Sequence, residues 1–232
     1  VTVGGRSCVI SQTGFSGESG YEIYLRNATL YADDMWDAVL EAGKKHNLMV
    51  IAPAHHRRIQ AGILSWGQDL DHEHNPFQCN LGYQVSLSGK GEWEKKGDYI
   101  GKQALEKMKA DLKDGHKPYK LQLVGFEIGG KPIDEYAPDF WLVSPGDGGD
   151  PCGFITSPWY HPEKGKNIAM GYIPFDGTLN PNGFPKWELG KKFKVHLPDI
   201  YADEPGVPVD AVTVDVPFTE SFNANTREVV KG

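Results

Sequence analysis

The second half of this chain is interrupted too often by turn residues to form long helices. Six short apolar runs, at 120–128, 140–144, 153–156, 167–173, 192–197 and 211–216, are separated by Gly/Pro/Asp turns. Strand-sized runs at that regular spacing, with no helical period between them, predict a small antiparallel barrel or sandwich. The first half alternates strand-like and helix-like patterns instead. The expected fold class is therefore α+β, a mixed sheet-and-helix domain over 1–115 followed by a small antiparallel β-barrel over 116–218, with a polar tail at 219–232. The segment Asp114-Gly-His-Lys-Pro is the expected boundary, and the tail lacks periodicity and reads as an arm of low order.

In the first half, residues 11–25 read Ser-Gln-Thr-Gly-Phe-Ser-Gly-Glu-Ser-Gly-Tyr-Glu-Ile-Tyr-Leu. Cys8 and Ile10 before it, and Tyr21, Ile23 and Leu25 within it, alternate with polar positions in the period-two pattern of half-buried strands. Gly14, Gly17 and Gly20 mark the turn, where the backbone bends sharply and another group can approach closely. Glu22 follows directly and reads as a buried carboxylate at a ligand site. The same pattern also suits a plain hairpin with a solvated glutamate, since carboxylates are mostly exposed.

Asn27 or Thr29 is placed to cap a helix whose apolar positions Leu30, Met35, Trp36, Val39 and Leu40 recur at three-to-four spacing. Pro53 is placed to start a second helix over 54–65, closed by Gly67 and carrying His55, His56, Arg57 and Arg58. Adjacent histidines diverge by about 100° around a helix, so His55 and His56 cannot chelate one metal together. His72 and His74 stand among Asp69, Asp71 and Glu73, but in a polar loop without a third nitrogen ligand. No metal is implied. Residues 81–87 alternate like a strand, 88–97 form a polar glycine-rich insertion, and 99–112 read as a third helix. Gly89 and Gly91 lack the spacing of a phosphate loop. The cluster Pro158-Trp159-Tyr160-His161-Pro162 reads as an aromatic loop, either simply packed or lining a cavity.

A net charge of −7 argues against nucleic acid as a partner. No apolar run approaches the eighteen or so residues of a membrane helix. Cys8, Cys79 and Cys152 are sparse, far apart and odd in number, which suits structural thiols in a reducing cytoplasm. The chain opens on Val1 without an initiator methionine and reads as a fragment.

Four separated stretches, in order, resemble the aminomethyltransferase family, the T-protein of glycine cleavage and its demethylase relatives. Thr13-Gly-Phe-Ser-Gly-Glu-Ser-Gly-Tyr-Glu-Ile is similar to the family's Thr-Gly-Tyr-Thr-Gly-Glu-Asp-Gly-x-Glu-Ile. Arg58-Ile-Gln-Ala-Gly-Ile-Leu-Ser-Trp-Gly-Gln-Asp-Leu resembles Arg-Leu-Glu-Ala-Gly-x-x-x-Tyr-Gly-x-Asp-Ile, and Tyr99-Ile-Gly-Lys-Gln-Ala-Leu resembles Phe-Ile-Gly-Lys/Arg-x-Ala-Leu. Lys166-Asn-Ile-Ala-Met-Gly-Tyr-Ile-Pro resembles the carboxy-terminal Asn-Ile-Ala-x-Gly-Tyr-Val-Pro. The resemblance implies that Glu22 anchors the pterin ring of tetrahydrofolate. By their side-chain chemistry, Tyr24, Trp66 and Trp159 are further candidates for folate contacts, and Tyr21, His56 and Arg58 are candidates for the acid or the charge in catalysis. It further implies that much of the folate cavity, including a catalytic aspartate, belongs to an amino-terminal half not present here.

One departure stands out: where T-proteins carry Ala-Arg-Asp, this chain has Pro53-Ala54-His55. That departure, the 88–97 insertion and the aromatic residues Trp66, Trp159 and Tyr160 point toward the aryl O-demethylases of the family. These move a methyl group from vanillate, syringate or 3-O-methylgallate to tetrahydrofolate. A sulfonium demethylase acting on dimethylsulfoniopropionate, aminomethyl transfer in glycine cleavage, and a folate-binding protein without catalysis are the alternatives.

Overall fold

A computed structural model describes residues 1–87 and 98–219 of the chain. The 88–97 insertion and nearly all of the tail lie outside the described residues. The backbone divides into two compact units, Val1–Arg58 and the residues from Ile59 onward.

The first unit is a three-stranded antiparallel sheet with one long helix. Strands β1 (Thr2–Val3), β2 (Arg6–Ser11) and β3 (Glu22–Leu25) pair in sequence order. The β2–β3 register sets Cys8 opposite Leu25, Val9 opposite Tyr24, Ile10 opposite Ile23 and Ser11 opposite Glu22. Period two therefore places Val9, Ser11, Glu22 and Tyr24 on one face and Cys8, Ile10, Ile23 and Leu25 on the other. Helix α1 (Ala28–Gly43) packs on β3 and buries Met35. Arg6 ties sheet to helix, donating to Asp34 at 2.5 Å with its guanidinium 4.0 Å from the centre of the Tyr31 ring. Asn27 occupies the N-cap position as expected, but in a left-handed conformation and without a side-chain capping bond.

Helix α2 (His55–Gln60) is much shorter than the 54–65 expected. Gly62 adopts φ 69°, a left-handed turn that ends the helix, and the Phe218 N–H donates to the carbonyl of Gln60 at 2.9 Å. Residues 81–87 hold no strand either. They contain a single 3-10 turn, Gly82–Gln84, entered through Asn80 at φ 61° with the Leu81 N–H bonded back to the Pro76 carbonyl. Helix α3 (Lys102–Lys113) follows close to its expected place.

The second unit is organised by a closed barrel. Its strands are β4 (Leu121–Ile128), β5 (Trp141–Pro145), β6 (Gly153–His161), β7 (Lys166–Pro174), β8 (Lys192–Val195) and β9 (Val209–Val214). All six pair antiparallel in the ring order β4-β7-β6-β5-β8-β9, and β9 closes on β4. Alternate residues point inward: Val124, Phe126 and Ile128 of β4 join Val143, Ile155 and Val195 in the main core. Leu123 points the other way, into a second cluster with Ile59, Ile168, Met170, Tyr172 and Phe218. Burial on both faces explains why β4 and β7 read as nearly unbroken apolar runs.

The aromatic segment at 158–161 is strand and not loop. Pro158 fits there because β5 pairs with β6 only through Ile155, so at 158 no residue of β5 faces the missing N–H. A β-bulge separates Ile155 from Ser157 in the pairing with β7. No described helix is long and apolar enough to cross a membrane.

Candidate functional site

Glu22 begins β3 beside the glycine-rich loop 12–21 and is exposed, not buried as its sequence setting suggested. Two side chains hold its carboxylate. Thr13 donates its hydroxyl to Oε2 in a short contact, and the Tyr24 hydroxyl donates to the same oxygen at 3.2 Å. Ser11 Oγ stands 3.0 Å from Thr13 Oγ1. Tyr24 reaches Glu22 because residues two apart share a strand face. Both donors fall on Oε2, leaving Oε1 open toward solvent among the described residues. An oriented carboxylate with one open oxygen suits a planar donor edge such as that of an amino-pyrimidinone.

Tyr21 precedes the strand and is 69% exposed. His56 and Arg58 lie on α2 within the same unit. Burial, followed by the adjacent Arg57 charge, holds the His56 imidazole below its ordinary pKa. Arg58 is wholly buried. Arg57 points elsewhere on α2 and donates to Glu18 of the glycine loop at 2.8 Å.

Trp66 and Trp159 belong to the second unit. Trp66 is 62% exposed and sits in a tight turn closed by the Gly67 N–H bond to the Leu70 carbonyl at 2.8 Å. Its indole meets His72 edge-on at 4.9 Å. Trp159, on β6, is partly buried against the Ile168–Met170–Tyr172 cluster. The turn bearing Trp66 is held by Asp69, which is 1% exposed. Asp69 accepts from Thr156 Oγ1 and Ser157 Oγ at 2.5 Å each and from the Ser65 N–H at 2.8 Å, while its carbonyl accepts from the Tyr172 hydroxyl at 2.7 Å. The bulge in β6 makes this possible by turning two consecutive hydroxyls toward one carboxylate.

Two adjoining cavities, of about 240 and 290 Å³, share Asn80, Tyr83 and Trp187 as walls in this unit. Among the described residues no group of three or more His, Cys, Asp or Glu side chains is arranged to hold a metal ion. Asp71 instead bonds His74 at 2.7 Å, and the Glu73 N–H and His74 together hold its carboxyl below the usual range. Sequence reasoning missed Thr13, Glu18 and Asp69 as supporting residues. A hydroxyl two positions after Ser11 and nine before Glu22 carries no periodic signal.

Residues 1–89 match the family model described as the GCVT N-terminal domain. An aminomethyltransferase of Caldanaerobacter subterraneus subsp. tengcongensis is 31% identical over 175 residues, 75% of this chain and 41% of that protein. One from Symbiobacterium thermophilum is 34% identical over 179 residues, again 75% of this chain and 42% of the relative. The crystal structure of glycine cleavage system aminomethyltransferase T from Bartonella henselae matches with a TM-score of 0.58 at 21% identity. It covers 91% of this chain and 49% of that one, and at that identity shows likeness of fold alone. Over residues 1–89 the chain is thus similar to the GCVT N-terminal domain, and over about three quarters of its length to curated aminomethyltransferases. The chain spans less than half the length of these relatives.

Proposed function

We propose that this chain is the pterin-holding part of a tetrahydrofolate-dependent one-carbon transferase. The observation that carries the reading is the Glu22 carboxylate, held on Oε2 by Thr13 and Tyr24 and open on Oε1, inside the Thr-Gly-Phe-Ser-Gly-Glu-Ser-Gly-Tyr-Glu stretch. Tetrahydrofolate supplies a nucleophilic nitrogen that accepts the carbon unit. Glu22 would orient its ring by accepting a ring-edge N–H on the open Oε1. The donor in this reading is the methyl ether of a methoxy-aromatic acid of the vanillate, syringate or 3-O-methylgallate type, handled in the cytoplasm. Ala54, in place of the T-protein arginine, and the exposed indole of Trp66 support that choice.

Breaking an aryl ether releases a phenolate, which needs a proton or a positive charge as it forms. Tyr21 and His56 are the proton carriers of the first unit, and Arg58 is its buried charge. Aminomethyl transfer is the second reading, favoured by the names of the curated relatives.

The test is to identify the folate formed by the full-length parent offered vanillate, syringate, dimethylsulfoniopropionate or an aminomethyl-lipoyl donor. 5-Methyltetrahydrofolate from the aryl ethers is expected, and the methylene form would establish the second reading. Replacing Glu22→Gln lowers tetrahydrofolate affinity by about ten- to a hundredfold, the scale of a hydrogen bond to a charged group. Unchanged affinity in that variant removes the pterin assignment.

A further inference from the structure

The loop 12–21 has little of its own to hold it. The β2–β3 ladder ends at the Ser11/Glu22 pair, and Gly17 takes φ 76° within the turn. Its local bonds are short in reach: the Glu18 N–H donates to Ser16 Oγ at 3.3 Å, and Thr13 donates to Glu22. Among the described residues one side-chain bond of the loop reaches beyond the hairpin, the 2.8 Å pair between Arg57 Nη1 and Glu18 Oε1, spanning 39 positions of sequence. Both side chains are about half exposed, at 47% and 56%.

We propose that Arg57 is a positioning residue for the Glu22 site: through Glu18 it holds the 12–21 loop to α2, and so keeps the Thr13 hydroxyl on the Glu22 carboxylate. The inference rests on reading Glu22 as the ligand anchor. A half-exposed ion pair contributes little to global stability, since solvent and salt screen it. On a loop with few other ties the same small free energy decides how often the loop opens. Opening moves Thr13 and takes with it one of the two donors that orient Glu22. Charge matters here more than shape, so an exchanged pair should serve as well as the native one.

Loop opening is read by native-state chymotryptic cleavage after Phe15, which is 46% exposed, in the full chain. Arg57→Gln and Glu18→Gln each raise the cleavage rate by about two- to fivefold, the scale of an exposed ion pair. The double variant goes no further than either single one, and Glu18→Arg with Arg57→Glu returns the rate toward the parent value. About 0.5 M salt raises cleavage of the parent and leaves the single variants unchanged. The same singles weaken tetrahydrofolate binding by a similar factor, while the urea midpoint of the chain stays put. Unchanged cleavage in the singles, additive effects in the double, or failure of the exchanged pair to restore the rate overturns the tie. Cleavage that responds while folate affinity holds, with Glu22→Gln still losing affinity, overturns the positioning role. If Glu22→Gln keeps its affinity as well, the folate reading is what falls, and the positioning role falls with it.

Discussion

Replacing Asp69 tests whether one buried carboxylate holds the 65–70 turn to the barrel. The bonds its side chain accepts include those from Ser65 N–H, Thr156 Oγ1 and Ser157 Oγ, at 1% exposure. Asp69→Ala removes both acceptor oxygens, and with them these three bonds, at once. Thr156 has a second acceptor ready, the Met170 carbonyl at 3.1 Å, so its loss is small. The Ser65 N–H has no such alternative in the turn, and a buried donor left unpaired costs about 1–3 kcal/mol. Adding the void left by the carboxylate and a weakened Ser157 bond gives about 3 kcal/mol in total. Asp69→Asn keeps one carbonyl oxygen for the Ser65 N–H, and its amide donates to hydroxyls that can rotate to accept. It should lose about half as much. Urea unfolding monitored by near-ultraviolet circular dichroism measures both, and the m-value checks that only stability has moved. A loss below about 0.5 kcal/mol for Asp69→Ala would refute the reasoning, because it is the spread of ordinary surface substitutions.

Three further outcomes follow from the same structure. Burial, the leading effect, pushes the His161 imidazole below its ordinary 6.5, with Lys164 adding to the fall and Glu163 and Glu127 opposing it. The unfolded chain then takes up the proton first, so the stability His161 contributes is complete above about pH 6.5 and declines as pH falls below it. Unfolding in urea at a series of pH values from 8 to about 5 shows this slope, and His161→Gln flattens it. A Cβ at Gly153 would lie 2.0 Å from the Tyr172 carbonyl oxygen, a backbone atom that cannot step aside. Gly153→Ala should therefore destabilise by at least about 2 kcal/mol in the same denaturation assay. Trp66→Ala should change the urea midpoint very little, since the indole is 62% exposed, while an aromatic methyl donor that stacks on it would bind more weakly by titration calorimetry.

The barrel was legible because its evidence is local. Each strand announces itself by its own apolar run and its own turn residues, and five of the six lie within two residues of expectation, while β6 runs five residues further, to His161. The exceptions have physical causes that no local pattern carries. Pro158 argued for a loop at 158–162, yet its ring breaks no ladder bond where β5 no longer pairs with β6. The run Ile63-Leu64 argued for a longer helix, but a left-handed glycine at 62 and a bond from Phe218 ended it. Alternation at 81–87 argued for a strand, where the chain turns through Asn80 instead.

The candidate site divides in the same way. Three glycines ahead of Glu22 mark a turn, so its place in the chain could be read directly. Its exposure was one of two readings that the pattern left open, and the partners that hold it could not be read at all. Glu18 and Arg57 stand 39 positions apart, and Asp69 meets its hydroxyl partners 87 and 88 positions further on. Such pairs are decided by how the chain folds back, which composition and period do not encode.

The ring order of the barrel also bears on how the molecule is made. Its closing seam sets Ile128 opposite Ala211, so the first strand of the ring waits for the last before its edge is paired. On a ribosome, β4 emerges well before β9 and for that interval offers an unpaired, strongly apolar edge. Non-local closure of this kind folds slowly, on the millisecond-to-second scale of β-rich topologies. Truncation anywhere before Val209 would leave that seam open for good, and such a product should be recovered as aggregate, not as a smaller barrel.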